Sequence, residues 1–390
     1  MKYQLIKGKE FGQNVVIINK YDDDNYYDLF AFGLKFTDEP APKGIELTDL
    51  SNDRDGSVVG WLENDGVYKV STQIEGQKVI FNEDCKRMFE FGYKRVCCDG
   101  AYQVLSEIDF EMIDTSNVVD MSFMFVGCDG LEELDLSNFD TSNVKNMAWM
   151  FDKCENLKKL DLSGFDTSNV TDMGAMFSRC SNLLSMDLTG FNTSKVVDMV
   201  NMFSDCKNLR ELDLSHFDTS HVTSMWGMFY GTNLKELDLS NFDTSNVKNM
   251  AFMFDGCYKL RELDLSNFDT SHVTSMREMF FGCENLHKLD LSNIDTSKVN
   301  DMSNMFYNCF NLKELNLNDF NTSKVENMNR MFDGCRNLKT LKTTDKQLKK
   351  IYEEWMASHQ NQVHSNINPK NLKISKEKEM QKDKGIDKEE

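Results

Sequence analysis

The sequence predicts an α/β solenoid, with parallel strands on one face, short helices on the other, and a small β-rich cap at its N-terminal end. Three observations carry this. The phrase Asp/Asn-Thr-Ser-x-Val-x-x-Met-x-x-Met-Phe is written nine times between Asp114 and Phe332, every 26 residues with one 25-residue exception. A Leu-x-x-Leu-x-Leu alternation opens each regular unit, and a 3,3,1,3 spacing of Val, Met, Met, Phe and Cys closes it. A unit of this size cannot bury its own apolar face, so neighbours must stack.

Residues 1–83 lack the phrase and are expected to form the β-rich cap. Val15-Val16-Ile17-Ile18, Phe30-Ala31-Phe32, Val58-Val59-Gly60-Trp61 and Val67-Tyr68-Lys69-Val70 are strand signals. Asn64-Asp65-Gly66 suits a tight hairpin, where Asp-Gly supplies left-handed backbone. Residues 84–104 are expected to be a degenerate transition repeat: Met88-Phe89 echoes the Met-Phe pair, at 36 residues from the next copy.

Residues 105–342 are expected to hold the nine repeats. Leu157, Leu160 and Leu162, like Leu209, Leu212 and Leu214, alternate along a short strand, a pattern that resembles a leucine-rich repeat. A Phe follows three residues later (Phe139, Phe165, Phe191, Phe217, Phe242, Phe268, Phe320), with Ile113 and Ile294 as substitutes, and should plug the turn. Val170, Met173, Met176, Phe177 and Cys180 would line one side of a helix. Asp166-Thr167-Ser168 would cap its start, and Gly127, Gly256, Gly282 and Gly334 sit where such helices should stop. Eighteen of the 24 Met fall in the two repeat Met columns, so packing accounts for them. At 343–365, Leu348, Ile351, Tyr352, Trp355 and Met356 mark an amphipathic helix that would close the last coil, and 366–390 is a charged tail expected to be disordered.

The net charge of −20 limits the partners. The segment 342–390 has 11 Lys against 9 acidic residues, so the excess acid lies upstream. Nucleic acid and anionic membrane surfaces both select basic patches. Eight of the 11 Cys form one repeat column, Cys128 to Cys335, and read as small buried hydrophobes, not as a disulfide framework. The chain shows neither an apolar run of transmembrane length nor a signal-peptide core, which by sequence points to the cytoplasm.

The units at 134–154 and 237–257, Leu-Asp-Leu-Ser-Asn-Phe-Asp-Thr-Ser-Asn-Val-x-x-Met-x-x-Met-Phe-x-x-Cys, resemble the 26-residue repeat of BspA-like leucine-rich-repeat surface proteins. The resemblance covers roughly 84–341, and the lead-in from Gly56 to Phe89 is similar to what precedes such repeats. It implies adhesion or protein binding, no catalytic residues, no cofactor, and cell-surface display as the alternative to the cytoplasm.

The residues that alternate with the inward leucines form two acidic columns. Glu107, Glu133, Glu211, Glu236, Glu262 and Glu314 make one; Asp109, Asp135, Asp161, Asp187, Asp213, Asp238, Asp264 and Asp290 make the other. Stacked strands lie about 4.8 Å apart, and like charges placed opposite destabilise a sheet. The stripe therefore calls for hydrogen bonds from the adjacent coil, for cations, or for a protein partner with a basic surface. Asn316 in the Asp column favours acceptor geometry over charge. Lys158, Arg210, Lys235, Arg261 and Lys313 flank the stripe. Trp149 and Phe252 share one column of the other face, with Trp226 beside it, and Tyr230, Phe281 and Tyr307 share another; they would serve either packing between helices or a cytosolic scaffold that binds through the helix face. No phosphate loop, nucleophile elbow, redox Cys pair or metal-ligand spacing occurs, so neither an enzyme nor a metal site is expected. Oligomeric state is not legible.

Overall fold

In the computed structural model, the structure describes residues 2–15, 18–22, 25–29, 33–90 and 105–366. Part of one expected strand (Val16-Ile17), the whole of another (Phe30-Ala31-Phe32), positions 91–104 of the expected transition repeat and the tail beyond Asn366 lie outside these residues.

The repeats stack in register. Parallel bridges run coil to coil through Asp84, Asp120, Asn146, Asp172, Asp198, Ser224, Asn249, Ser275, Asp301 and Asn327. Inside, ten phenylalanines from Phe89 to Phe332 form one column, with centroids 5.1–6.1 Å apart and rings tilted by at most 15°. Parallel rings at this spacing are offset-stacked and add to the burial energy of each side chain. Val170, Met173, Met176, Phe177 and Cys180 are all 0% exposed, and the same columns are buried in the other coils except at Val325, which is half-buried. Each repeat thiol donates to the carbonyl of a Phe in the preceding coil, as Cys180 Sγ does to Phe151 O at 3.1 Å. Burial pushes the thiols of Cys180, Cys206, Cys257, Cys283 and Cys309 up, to about 12 for Cys206 and Cys257, so they are packing groups and not nucleophiles.

The Met-x-x-Met-Phe half departs from the helix expected of it. Among the described residues helices occur only at Gly8–Val15 and Lys346–Asn366. In the repeats, backbone donors alternate between two kinds of partner. Met147, Trp149, Phe151 and Lys153 donate to Asp172, Gly174, Met176 and Ser178 of the next coil at 2.8–3.0 Å. Met150, Asp152 and Cys154 donate to the carbonyl three residues back at 3.1–3.2 Å. Trp149 and Lys153 have φ of +61° and +62°, as the third residue of a turn with left-handed backbone requires. A spacing of three suits successive i→i−3 turns as well as one face of a helix. The coil next door decides between them, because it accepts the alternate N–H groups that an α-helix would keep to itself. The helix caps change accordingly. Asp166 Oδ1 accepts the Ser168 N–H at 2.9 Å in a side-chain turn, and Gly127, Gly256, Gly282 and Gly334 take positive φ within the ribbon of turns.

The strands of the other face are also fewer than the pattern suggests. Glu133–Leu134 pairs with Lys159–Leu160, and Lys288–Asp290, Glu314–Asn316 and Thr340–Lys342 form a three-stranded parallel sheet. Between Leu160 and Lys288 no strand is formed.

At the N-terminal end, a five-stranded sheet runs Thr48–Asp49, Val59–Leu62, Val67–Ser71, Gly33–Thr37, Glu107–Asp109. The hairpin between Val59–Leu62 and Val67–Ser71 turns at Gly66, where φ is +85°. Glu107–Asp109 lies where the repeats begin, so this sheet and the solenoid share a core in which Phe36 and Phe110 stack at 5.8 Å. The helix Gly8–Val15, absent from the strand pattern, lays Gly8 against the backbone of Cys85 so closely that a Cβ there would meet its carbonyl carbon at 2.5 Å. At the other end, Tyr352 and Trp355 of Lys346–Asn366 pack on Phe332, the last ring of the column, at 5.8 and 6.2 Å, and Leu348 is fully buried.

Candidate functional site: the acidic strand face

The two acidic columns stand on the surface in coil order. Glu133, Asp135, Asp161, Asp187, Glu211, Asp213, Glu236, Asp238, Glu262, Asp264 and Asp290 are all exposed. The Asp column is held chiefly by its own coil, with Asp290 also bonded to Asn316 of the next. Asp135, Asp161, Asp213, Asp238 and Asp264 each accept the backbone N–H of the Ser two residues on at 2.9 Å, and Asp290 accepts that of Ser292 and Asp187 that of Thr189 at 3.0 Å. These bonds hold the carboxyls below the ordinary range. The column therefore stays ionised while its members oppose one another: Asp238 feels both Asp213 and Asp264.

The Glu column is less settled. Glu133 meets Lys159 Nζ at 2.7 Å, an exposed pair worth little by itself. Among the described residues no ion pair reaches Glu211, Glu236 or Glu262, and none joins Arg210, Lys235, Arg261 or Lys313 to the stripe. Lys158 alone of that flanking column is paired, to Glu132 at 2.8 Å.

Strand pairing on this face is partial. It forms where the column alternates or is neutral: Glu133 with Lys159, Lys288 with Glu314, Asp290 with Asn316, Glu314 with Thr340. A single bridge joins Glu262 to Lys288. Across Glu211, Glu236 and Glu262 the ladder is missing, and backbone contact is reduced to bonds such as Arg210 N to Leu184 O at 3.0 Å and Arg261 N to Lys235 O at 3.3 Å. Like charges directly opposite disfavour close pairing at Glu211, Glu236 and Glu262, but the ladder is missing as well from Lys159 through Ser185 to Glu211, where no like charges face each other in this column. Sequence columns show the charges but not where the ladder stops.

The aromatic candidates lie on the ribbon of turns, since no helix exists on that face. Trp149 is half-buried and stacks on Phe123 at 5.7 Å. Trp226 and Phe252, also half-buried, touch at 5.2 Å, with the Arg277 guanidinium 5.5 Å from the Phe252 centroid. The structure thus brings Trp226 and Phe252 together and leaves Trp149 in a separate pair. Among the described residues no group of three or more His, Cys, Asp or Glu is placed to hold a metal ion, and no helix is long and apolar enough to cross a membrane.

Among solved structures, the chain is similar to a leucine-rich cell surface protein from Faecalibacterium prausnitzii, with 15% identity over 75% of this chain and 94% of that one and a TM-score of 0.31. A leucine-rich repeat protein from Eubacterium ventriosum gives 17% identity over 73% and 94%, with a TM-score of 0.32. The functional domain of InlJ from Listeria monocytogenes gives 16% identity over 60% and 49%, with a TM-score of 0.22. No curated protein matches. One family profile matches three overlapping stretches, 96–211, 182–263 and 259–370, which together span more than half of the chain. With its 26-residue units of BspA-like leucine-rich type, the chain belongs to the family described as Mycoplasma protein of unknown function, DUF285.

Proposed function

We propose that this chain is a non-catalytic recognition module that binds a protein partner with a basic surface through the acidic strand face, centred on Glu211, Asp213, Glu236, Asp238, Glu262 and Asp264. One observation carries the reading: Glu211, Glu236 and Glu262 stand exposed in three successive coils and, among the described residues, no ion pair reaches them. A basic partner laid along the stripe would supply the cations that Lys159 and Lys288 supply at its two ends. Charge complementarity of this kind sets partner choice and association rate. In this reading the N-terminal unit and the helix Lys346–Asn366 cover the ends of the solenoid, as a stack of repeats requires.

The test uses poly-lysine as the probe across a salt series. The triple variant Asp213→Asn, Asp238→Asn, Asp264→Asn keeps an acceptor for each Ser N–H, as Asn192 does for Ser194 at 3.1 Å, and removes only charge. Binding should weaken at low salt and its salt dependence should flatten. Unchanged binding and an unchanged slope would remove the strand face as the site. Protease shaving of the native host distinguishes surface display from the cytoplasm.

A further inference from the structure

One column of the turn ribbon holds two buried carboxylates, Asp152 at 2% exposure and Asp255 at 7%. The chain treats them differently. In the coil after Asp152, Arg179 places Nη1 4.0 Å from its Oδ1. In the coil after Asp255, the corresponding residue is Gly282. Among the described residues no hydrogen bond or ion pair reaches the Asp255 carboxylate, and the charges that act on it, Glu278 and Asp205, share its sign. Glu278 already has Arg277 at 3.0 Å, and Asp205 has Lys207 at 3.4 Å.

Beside Asp255 the next column carries small residues. Gly231, Gly256 and Gly282 follow one another in successive coils, with φ of +67°, +70° and +67°. Tyr258, 49% exposed, lies along this strip: its Cε1 would be 3.5 Å from a Cβ on Gly282, and its Oη 3.6 Å from one on Gly256. Tyr230, 37% exposed, precedes Asp255 in its own column. A buried acid without a partner and two exposed phenol rings, one of them lying over the glycines, are the components of a guanidinium site: a carboxylate for the charge, ring faces for the planar cation.

We propose that Asp255 anchors a cation site on the turn face, where the guanidinium of an arginine supplied from outside occupies the place that Arg179 holds beside Asp152. The site is independent of the acidic strand face. Its ligand is either a small free guanidinium compound or an arginine on a partner chain.

The test follows the ¹³C resonance of the Asp255 carboxyl in the full chain. Burial first, then Glu278 and Asp205, raise this acid to about 7, so it titrates in an accessible range. Saturating N-acetyl-arginine amide should lower its midpoint by about one pH unit or more, which corresponds to a tenfold preference for the ionised form. Gly282→Arg should lower the midpoint without ligand and abolish the response; the column accepts side chains, since Arg179 and Lys153 sit there at φ +58° and +62°. Asp255→Asn should erase ligand-induced shifts of the Tyr230 and Tyr258 rings in a chain that is still folded. An arginine-centred peptide that binds tighter than the blocked amino acid assigns the ligand to a partner chain; equal binding assigns it to the free compound. A midpoint unmoved by the blocked arginine, moved as far by sodium chloride, or still responsive in Gly282→Arg, overturns the proposal.

Discussion

Thr322 donates its Oγ1–H to the carboxylate of Asp345 at 2.8 Å and its backbone N–H to the same group at 3.0 Å. In an inner coil the equivalent Thr meets backbone of the next coil: Thr296 Oγ1 donates to Asn321 O at 3.0 Å and accepts Asn321 N–H at 2.7 Å. Thr322 belongs to the last coil and has no such neighbour. Asp345 stands in for it, and the same carboxylate accepts Gln347 N–H at 2.8 Å and Leu348 N–H at 3.0 Å, which makes it the N-cap of the terminal helix.

Asp345→Ala should therefore cost more than an ordinary cap. Losing a cap costs about 1 kcal/mol, and stranding the mostly buried Thr322 donors adds about 1–3 kcal/mol more. Burial alone would raise this acid, yet the bonds from Leu348, Thr322 and Gln347 hold it below the usual carboxylate range. Its contribution is thus complete above the unfolded-state value and is lost as pH falls through the lowered folded value. Hydrogen exchange from Leu348 to Trp355 should accelerate in the variant, and the acid-side fall in stability should shrink. Exchange unchanged from wild type would show that the helix is anchored by Leu348 and Trp355 packing alone.

Neutralising the glutamates should restore strand pairing. In Glu211→Gln, Glu236→Gln, Glu262→Gln the opposed charges vanish while side-chain size is kept, and each relieved pair is worth roughly 0.2–1 kcal/mol. The thermal midpoint should rise, most at low salt, and amides from 211 to 213 and from 236 to 238 should gain protection from exchange. If protection stays low in the neutral variant, charge is not what opens the ladder.

The repeat made most of the molecule legible before any coordinates. Columns of Val, Met, Phe and Cys named the core because burial follows side-chain type, and the acidic columns were visible because exposed positions alternate with buried ones. Two things were not legible. The spacing of Val170, Met173 and Met176 fits a helix and a ribbon of turns equally, and only the hydrogen bonds offered by the next coil separate them. The helix Gly8–Val15 has no long apolar periodicity; it exists because Gly8 and Gly12 admit the backbone of 85–88. Asp255 could have been found by sliding the columns past one another, since Asp152 is followed by Arg179 and Asp255 by Gly282, but column alignment alone does not reveal that an acid is buried.

Helix and turn make opposite forecasts for one substitution. Lys153 has φ of +62° in a column where Gly127, Gly256, Gly282 and Gly334 occur. In a helix, Lys153→Gly would cost about 1 kcal/mol; at a left-handed turn position it removes a comparable strain of about 1 kcal/mol. Chemical denaturation should show the variant at least as stable as wild type. A loss of about 1 kcal/mol would instead support a helical ribbon.

Asp255 should make stability fall as the solution goes from acid to neutral. Its folded value, about 7 against an ordinary 3.8, means that the native chain keeps a proton the unfolded chain has released. The sign is thus opposite to that of Asp345: the contribution is present at low pH, declines as pH rises above the unfolded value, and levels off once pH has passed about 7. Asp255→Asn carries no such proton and keeps a similar shape. Thermal melts of the two chains should run together in acid and diverge toward neutrality, with the variant the more stable. Glu278 and Asp205, which face the same position, are unchanged in both chains, so the difference isolates Asp255. Adding N-acetyl-arginine amide at neutral pH should narrow the gap by stabilising wild type alone, because a ligand that binds only the folded, ionised site raises stability by mass action. Parallel melting curves across the pH range would mean that water reaches the carboxylate and that Asp255 ionises as an ordinary surface acid.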